Sequence, residues 1–339
     1  MDQQNIDFQN KDNKGTNEDN ARQELIPESG EIQGNAKMGD SKKQRNIISW
    51  AGFGLVAMAV VVIGSQYLMA LIIKQLAPDI ADTDWYVWAL TAISVVGLGL
   101  PTFYLFTRKI PDSAKGEVLK LKPMHFLTIF MITAAVMYIT NFFSVFLTVL
   151  IALIKGDDIF SLNPLMNVIT NSNMFYTILY AAIIAPIVEE LIFRKLLLNK
   201  LRRFGDVPAI LMTAIAFGLF HMNLSQFFYA TAIGMIFAYV TIKTNTIKYS
   251  ILLHVMVNLI GTAVVPIATT GNVVGSLLVV LWVFLALAGG IILFILNVKK
   301  IKFNKAAEPI ARKSIYFLNA GTMVFVAICF VMIVVATVA

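Results

Sequence analysis

An all-α, polytopic transmembrane helical bundle is the fold class this sequence predicts, and three observations predict it. The 339-residue chain is 58% hydrophobic and 14% charged, which is too apolar for a soluble protein of its size. From Ile47 onward, uncharged runs alternate with short basic loops, and runs of about 20 apolar residues are what a bilayer-spanning helix needs. Nearly half of the acids lie ahead of those runs, within residues 1–46.

Taken in order, that polar segment comes first. It has low hydrophobicity and no periodic apolar face, so a disordered tail is expected over 1–46. The apolar run that follows it starts late and is too long for a cleavable signal. Nine runs then qualify as spans: 47–73, 85–107, 124–154, 174–197, 207–223, 225–242, 248–268, 274–297 and 314–338. The count of eight or nine turns on the two shortest, 207–223 and 225–242, which meet at HMNLSQ and are short enough to stop within the membrane. The expected organisation is a tail, then a transmembrane domain over 47–339 with its functional core at about 170–265.

Orientation follows from the basic loops. Lys42, Lys43 and Arg45 precede the first span, and Arg108, Lys109, Lys115, Lys120 and Lys122 follow the second. Arg202, Arg203, Lys243, Lys248 and the group from Lys299 to Lys313 fall on the same side if nine runs cross. Only Lys74 and Lys155 fall opposite. The positive-inside rule then puts the N-terminus in the cytoplasm and the C-terminus outside, in a plasma-membrane protein. The net charge of +7 is thereby explained by topology, with no need for a nucleic-acid partner. The single cysteine, Cys329, excludes an intrachain disulfide framework.

One stretch is out of place in this pattern. APIVEELIFRKLL sets Glu189 and Glu190 side by side in an apolar run, although one charge at bilayer depth costs roughly 2.5–3.5 kcal/mol even on lenient scales. FGLFHMN adds His221 in the next run, and HVMVN adds His254 and Asn258 two runs later. Two of the three histidines are therefore at membrane depth; His125, in KPMHFL, sits at a span entrance and is set aside.

Helical geometry allows these residues to meet. Glu189 lies 16 residues before Gly205 and His221 lies 16 after it, so an antiparallel hairpin about RRFGD brings the two level. His254 and Asn258, four apart, share one helix face. Arg194 follows Glu190 by four residues, a favourable order for an ion pair, and Glu189 points about 100° away. The expected division is that Arg194 holds Glu190 while Glu189 faces the histidines. Taken singly, each residue has a plainer role in helix packing or as an interhelical hydrogen bonder. Their joint presence points to function, because ionisable groups around a common membrane cavity are costly to keep.

The chemistry such a set supports is attack of an activated water on an amide. A desolvated carboxylate serves as general base or acid near neutral pH, and imidazole and amide groups donate to a developing oxyanion. No serine or cysteine nucleophile accompanies the set, which argues against an acyl-enzyme. Glu189, His221 and His254 also have the ligand types of a catalytic zinc site. The chemistry works without metal, so zinc is an open expectation and no cofactor is required. A proton-coupled transporter using the same groups as a relay is a further reading.

EELIFR fits EExxxR, FGLFH fits FxxxH and HVMVN fits HxxxN, and the three in this order resemble the motifs of the CPBP family. That family comprises CAAX prenyl endopeptidases and the bacteriocin-processing or Abi proteins. The resemblance covers about residues 170–265. It implies an all-helical intramembrane protease in which Glu189 and His221 activate water while His254 and Asn258 stabilise the oxyanion. Glu190 and Arg194 then support the site. The family name includes metalloprotease, so the resemblance also admits a metal on Glu189, His221 and His254. Lys195 departs from the pattern, since many members have glycine after the arginine. The implied substrate is a peptide or membrane-associated protein in contact with the lipid bilayer. A family member without protease activity, acting as an immunity protein or envelope-regulatory scaffold, is the alternative.

Overall fold

The computed structural model describes residues 41–338 except 115, 157–172 and 311. The expectation of disorder over 1–40 lies outside these residues. Among the described residues nine apolar helices make up the fold: α1 (Ser41–Leu76), α2 (Tyr86–Thr107), α3 (Pro123–Lys155), α4 (Met174–Phe204), α5 (Asp206–Phe220), α6 (Leu224–Thr244), α7 (Lys248–Ala268), α8 (Val273–Lys300) and α9 (Ala320–Val338). Eight are long and apolar enough to cross a membrane, and no strand occurs among the described residues. The chain is a multi-pass membrane protein.

Three boundaries correct the sequence reading. Residues 41–46, expected in the tail, are the first turns of α1, since nothing in SKKQRN breaks a helix and Gln44 is anchored to the Pro309 carbonyl at 3.0 Å. The run expected at 314–338 begins with a separate 3₁₀ turn, Lys313–Tyr316, and α9 starts only at Ala320. The fifth run is the 15-residue α5, about 22 Å long, against a hydrocarbon core of about 30 Å. It is the short limb of a hairpin rather than a full span.

Local chemistry sets that hairpin. Gly205 turns the chain at φ +103°, a conformation L side chains rarely adopt, so α4 ends and α5 begins there. At the other end of α5, Met222 takes φ +53° and Asn223 caps α6 by accepting from the Gln226 amide at 2.9 Å. Gly218 lets the two limbs touch: a Cβ at that position would collide with Thr231 Oγ1 and the Phe227 carbonyl. Small residues give close helix approach in lipid, where hydrophobic drive between helices is missing.

The core lies around this hairpin. Ile192, Phe193, Leu197 and Leu201 of α4 pack with Phe217 of α5 and with Ile48, Leu55 and Met58 of α1. A smaller cluster joins Phe130 of α3, Ile233 and Phe237 of α6, and Leu253 and Val257 of α7. The basic loops gather at one end of the bundle. Ser113 donates to the Asn199 carbonyl at 2.8 Å, Leu119 to Thr244 at 3.0 Å and Glu308 to Arg203 at 3.0 Å. Lys200 pairs with Asp112, and Arg202 and Lys243 both approach Asp206. At the opposite end, Lys155 reaches the Thr337 carbonyl at 3.2 Å.

Candidate active site

Glu189 and Glu190 sit on α4 just after Pro186, in a short α-helical stretch between two π-helical ones, Ile178–Ile184 and Leu191–Leu198. A third π stretch, Ile260–Val264, follows Asn258 on α7, and a fourth, Ile93–Gly99, lies on α2. Such turns are rare and tend to occur at functional sites, because each re-aims the side chains on either side of it.

Glu190 is sealed. Its side chain and that of Arg194 have no exposed surface, and Oε1 meets Arg194 Nη1 at 3.1 Å. The same oxygen lies 3.0 Å from His254 Nδ1, arriving from α7. Arg194 in turn donates to the Gly234 carbonyl of α6 at 3.3 Å, and its guanidinium lies 4.4 Å from the Phe217 ring centre. The backbone can come this near because position 234 is glycine. The Glu190–Arg194 pair thus ties together α4, α6 and α7, and paired burial of this kind avoids the several kcal/mol an isolated ion would cost.

Glu189 is different. It is about a fifth exposed, and its Oε2 lies 3.5 Å from His254 Nε2. His254 therefore faces both glutamates, one on each ring nitrogen, rather than Glu189 alone as the sequence reading divided them. Its ring is held between Phe237 and Phe217, with centroids at 5.0 and 5.6 Å.

His221 closes α5. Its Nδ1 lies 2.9 Å from the Phe217 carbonyl, which can only accept, so Nδ1 carries the proton and Nε2 is the lone-pair nitrogen of the neutral ring. His221 lies within electrostatic reach of Glu189, but among the described residues no hydrogen bond joins them. Asn258 donates its amide to the Ala181 carbonyl at 2.8 Å, tying α7 to the first π stretch of α4. One of the two N–H groups assigned to an oxyanion is thus engaged in helix packing. Lys195 projects from α4 on an exposed face, away from the sealed pair.

A metal fits this arrangement poorly. Both His254 nitrogens face carboxylate oxygens, and among the described residues no group of three His, Cys, Asp or Glu side chains is placed to hold an ion. No step below passes through a metal.

Sequence reasoning missed two tyrosines. Tyr180, tilted 36° against Trp88 with centroids 5.6 Å apart, and Tyr229 of α6 both lie within electrostatic reach of Glu189. Nothing in a single aromatic within an apolar run marks it as functional. The nearest available signal was Gln226, a polar residue three positions ahead of Tyr229 on the same helix face.

Fold and site together define a polytopic helical membrane protein with a Glu–Arg–His cluster at the joint of three helices. Residues 171–260 match the family model for "Type II CAAX prenyl endopeptidase Rce1-like", and that stretch contains all seven motif residues. The chain is also 34% identical over 82 residues to the Bacillus subtilis (strain 168) protein named "Putative membrane peptidase YdiL". That alignment covers 24% of this chain and 34% of the relative, so the chain spans about a third of the relative's length. No solved structure matches the chain. Each match is a likeness of part of this chain, the family model reaching from 171 to 260 and the relative aligning over 82 residues.

Proposed function

We propose that the protein is an intramembrane endopeptidase acting on peptides or membrane-associated proteins. The observation that carries this reading is the contrast within one pair. Glu190 is sealed by Arg194 and His254, while Glu189, one residue earlier, is about a fifth exposed with His254 Nε2 at 3.5 Å. A structural role explains the first glutamate and leaves the second unexplained.

In the proposed reaction Glu189 takes a proton from water, with His221 Nε2 accepting the water's other hydrogen bond. The hydroxide adds to the amide carbon and the carbonyl electrons move to oxygen. His254 and the remaining Asn258 N–H support that oxyanion. Collapse breaks the C–N bond, and the proton held by Glu189 passes to the leaving nitrogen, giving one acid and one amine product. A positioned general base contributes typically 10²–10⁴-fold to such a step. The end of the bundle that gathers Arg202, Arg203, Lys243 and Lys248 is assigned to the cytoplasm by the positive-inside rule. The N-terminus then lies inside and the C-terminus outside.

The test compares the proteomes of membranes from cells carrying the wild-type chain or Glu189→Gln. The reading expects peptides or termini that disappear with the substitution. Identical proteomes at equal protein level would contradict it.

A further inference from the structure

We infer that Tyr229 supplies a hydroxyl donor to the oxyanion, aimed by Gln226 and Asn223. The inference rests on the hydrolase reading above and adds a catalytic residue to it.

A chain of hydrogen bonds with only one consistent direction leads to it. The backbone carbonyl of His221 can only accept, so the group 2.8 Å from it on Asn223 is the NH₂. The Asn223 oxygen then faces the Gln226 backbone N–H at 2.9 Å, which can only donate, so the same orientation is required twice. The second N–H of Asn223 points at Gln226 Oε1, 2.6 Å away. This fixes the Gln226 amide and turns its NH₂ toward Tyr229 Oη at 3.0 Å. Amide orientations are often ambiguous, but here backbone groups decide them.

The end of the chain matters most. Tyr229 Oη accepts from Gln226, so its own proton must be donated elsewhere, and among the described residues no protein group accepts it. Tyr229 packs against both hydrophobic clusters and is held within electrostatic reach of Glu189. A hydroxyl proton left without a protein acceptor is available to an oxygen of a bound substrate. When Glu189 takes the water's proton, the carbonyl oxygen, gaining charge, becomes a better acceptor. The hydroxyl then strengthens its bond as the transition state forms, which is the requirement for catalysis rather than uniform binding. The bond accepted from Gln226 polarises the O–H further in the same direction. The same chain starts at the backbone carbonyl of His221, so the turn between α5 and α6 positions both residues. The partial engagement of Asn258 with Ala181 gives such a donor a place to fill.

The experiment uses full-length protein in nanodiscs. Its probe is a quenched fluorescent peptide built on a cleavage site lost in Glu189→Gln membranes. Tyr229→Phe should lower kcat by about 10²–10³-fold, the usual effect of removing one oxyanion donor, with KM and the thermal midpoint little changed. Gln226→Leu should lower kcat less, and should add nothing in the Tyr229→Phe background, since it acts through that hydroxyl. If Tyr229→Phe fails to fold, Gln226→Leu carries the test, and a wild-type kcat for it overturns the inference. A wild-type kcat for Tyr229→Phe, or a change confined to KM, also overturns it while leaving the hydrolase reading intact. If the wild-type protein cleaves nothing, the hydrolase reading and this role fall together.

Discussion

Helices α6 and α8 are both apolar spans of sufficient length, yet they are different kinds of element. Half of the most apolar window of α6 is buried within the protein, against 11% for α8. α6 carries Gln226, Thr231, Gly234 and Thr241, and it meets α5 through Gly218 and the site through Gly234. α8 presents Val280, Leu281, Phe284, Ile292 and Ile295 outward, and rests on α3 along one strip through Gly290 and the bond from Trp282 to Tyr138. The difference teaches that hydropathy alone marks a helix as membrane-embedded. Glycines and polar residues mark where it packs against protein.

Substitutions can break that contrast, and the largest effect belongs to the inner region. Glu190→Gln leaves Arg194 without its carboxylate in a fully buried setting, and removing one partner of a buried pair typically costs about 3–5 kcal/mol. Thermal unfolding in nanodiscs should show a large drop, partly restored by adding Arg194→Gln. No restoration would mean the harm comes instead through the lost His254 bond.

A smaller effect is expected at the hairpin. Gly218→Val places atoms where Thr231 Oγ1 and the Phe227 carbonyl already stand, and overpacking of this kind costs about 1–3 kcal/mol. The midpoint should fall measurably, and an unchanged midpoint would show that the limbs can separate freely. Least of all should happen on α8. Phe284 is 66% exposed, so Phe284→Leu should move the same midpoint by no more than about 0.5 kcal/mol. A change as large as that at Gly218 would make α8 part of the inner region.

Much of this was legible in the sequence, for reasons that can be named. Span existence was readable because about 20 apolar residues are needed to cross lipid, and the Glu190–Arg194 pair because four-residue spacing puts both on one helix face. What escaped depended on tertiary structure. The shared grip of His254 on both glutamates, the engagement of Asn258 with Ala181, and the π stretches of α4 and α7 all require knowing how these two helices are rotated against each other. The early start of α1 escaped because SKKQRN is polar all round and is helical only as the leading end of a packed helix.

The central claim is that two adjacent glutamates do separate jobs, one structural and one chemical. The direct measurement is turnover and thermal midpoint of Glu189→Gln beside Glu190→Gln, both purified in nanodiscs. Glu189→Gln keeps the shape of the side chain but cannot take a proton, so turnover should fall at least 10²–10⁴-fold while the protein stays folded. Glu190→Gln should lose stability first. Normal cleavage by Glu189→Gln, with Glu190→Gln folded and inactive, would contradict the assignment.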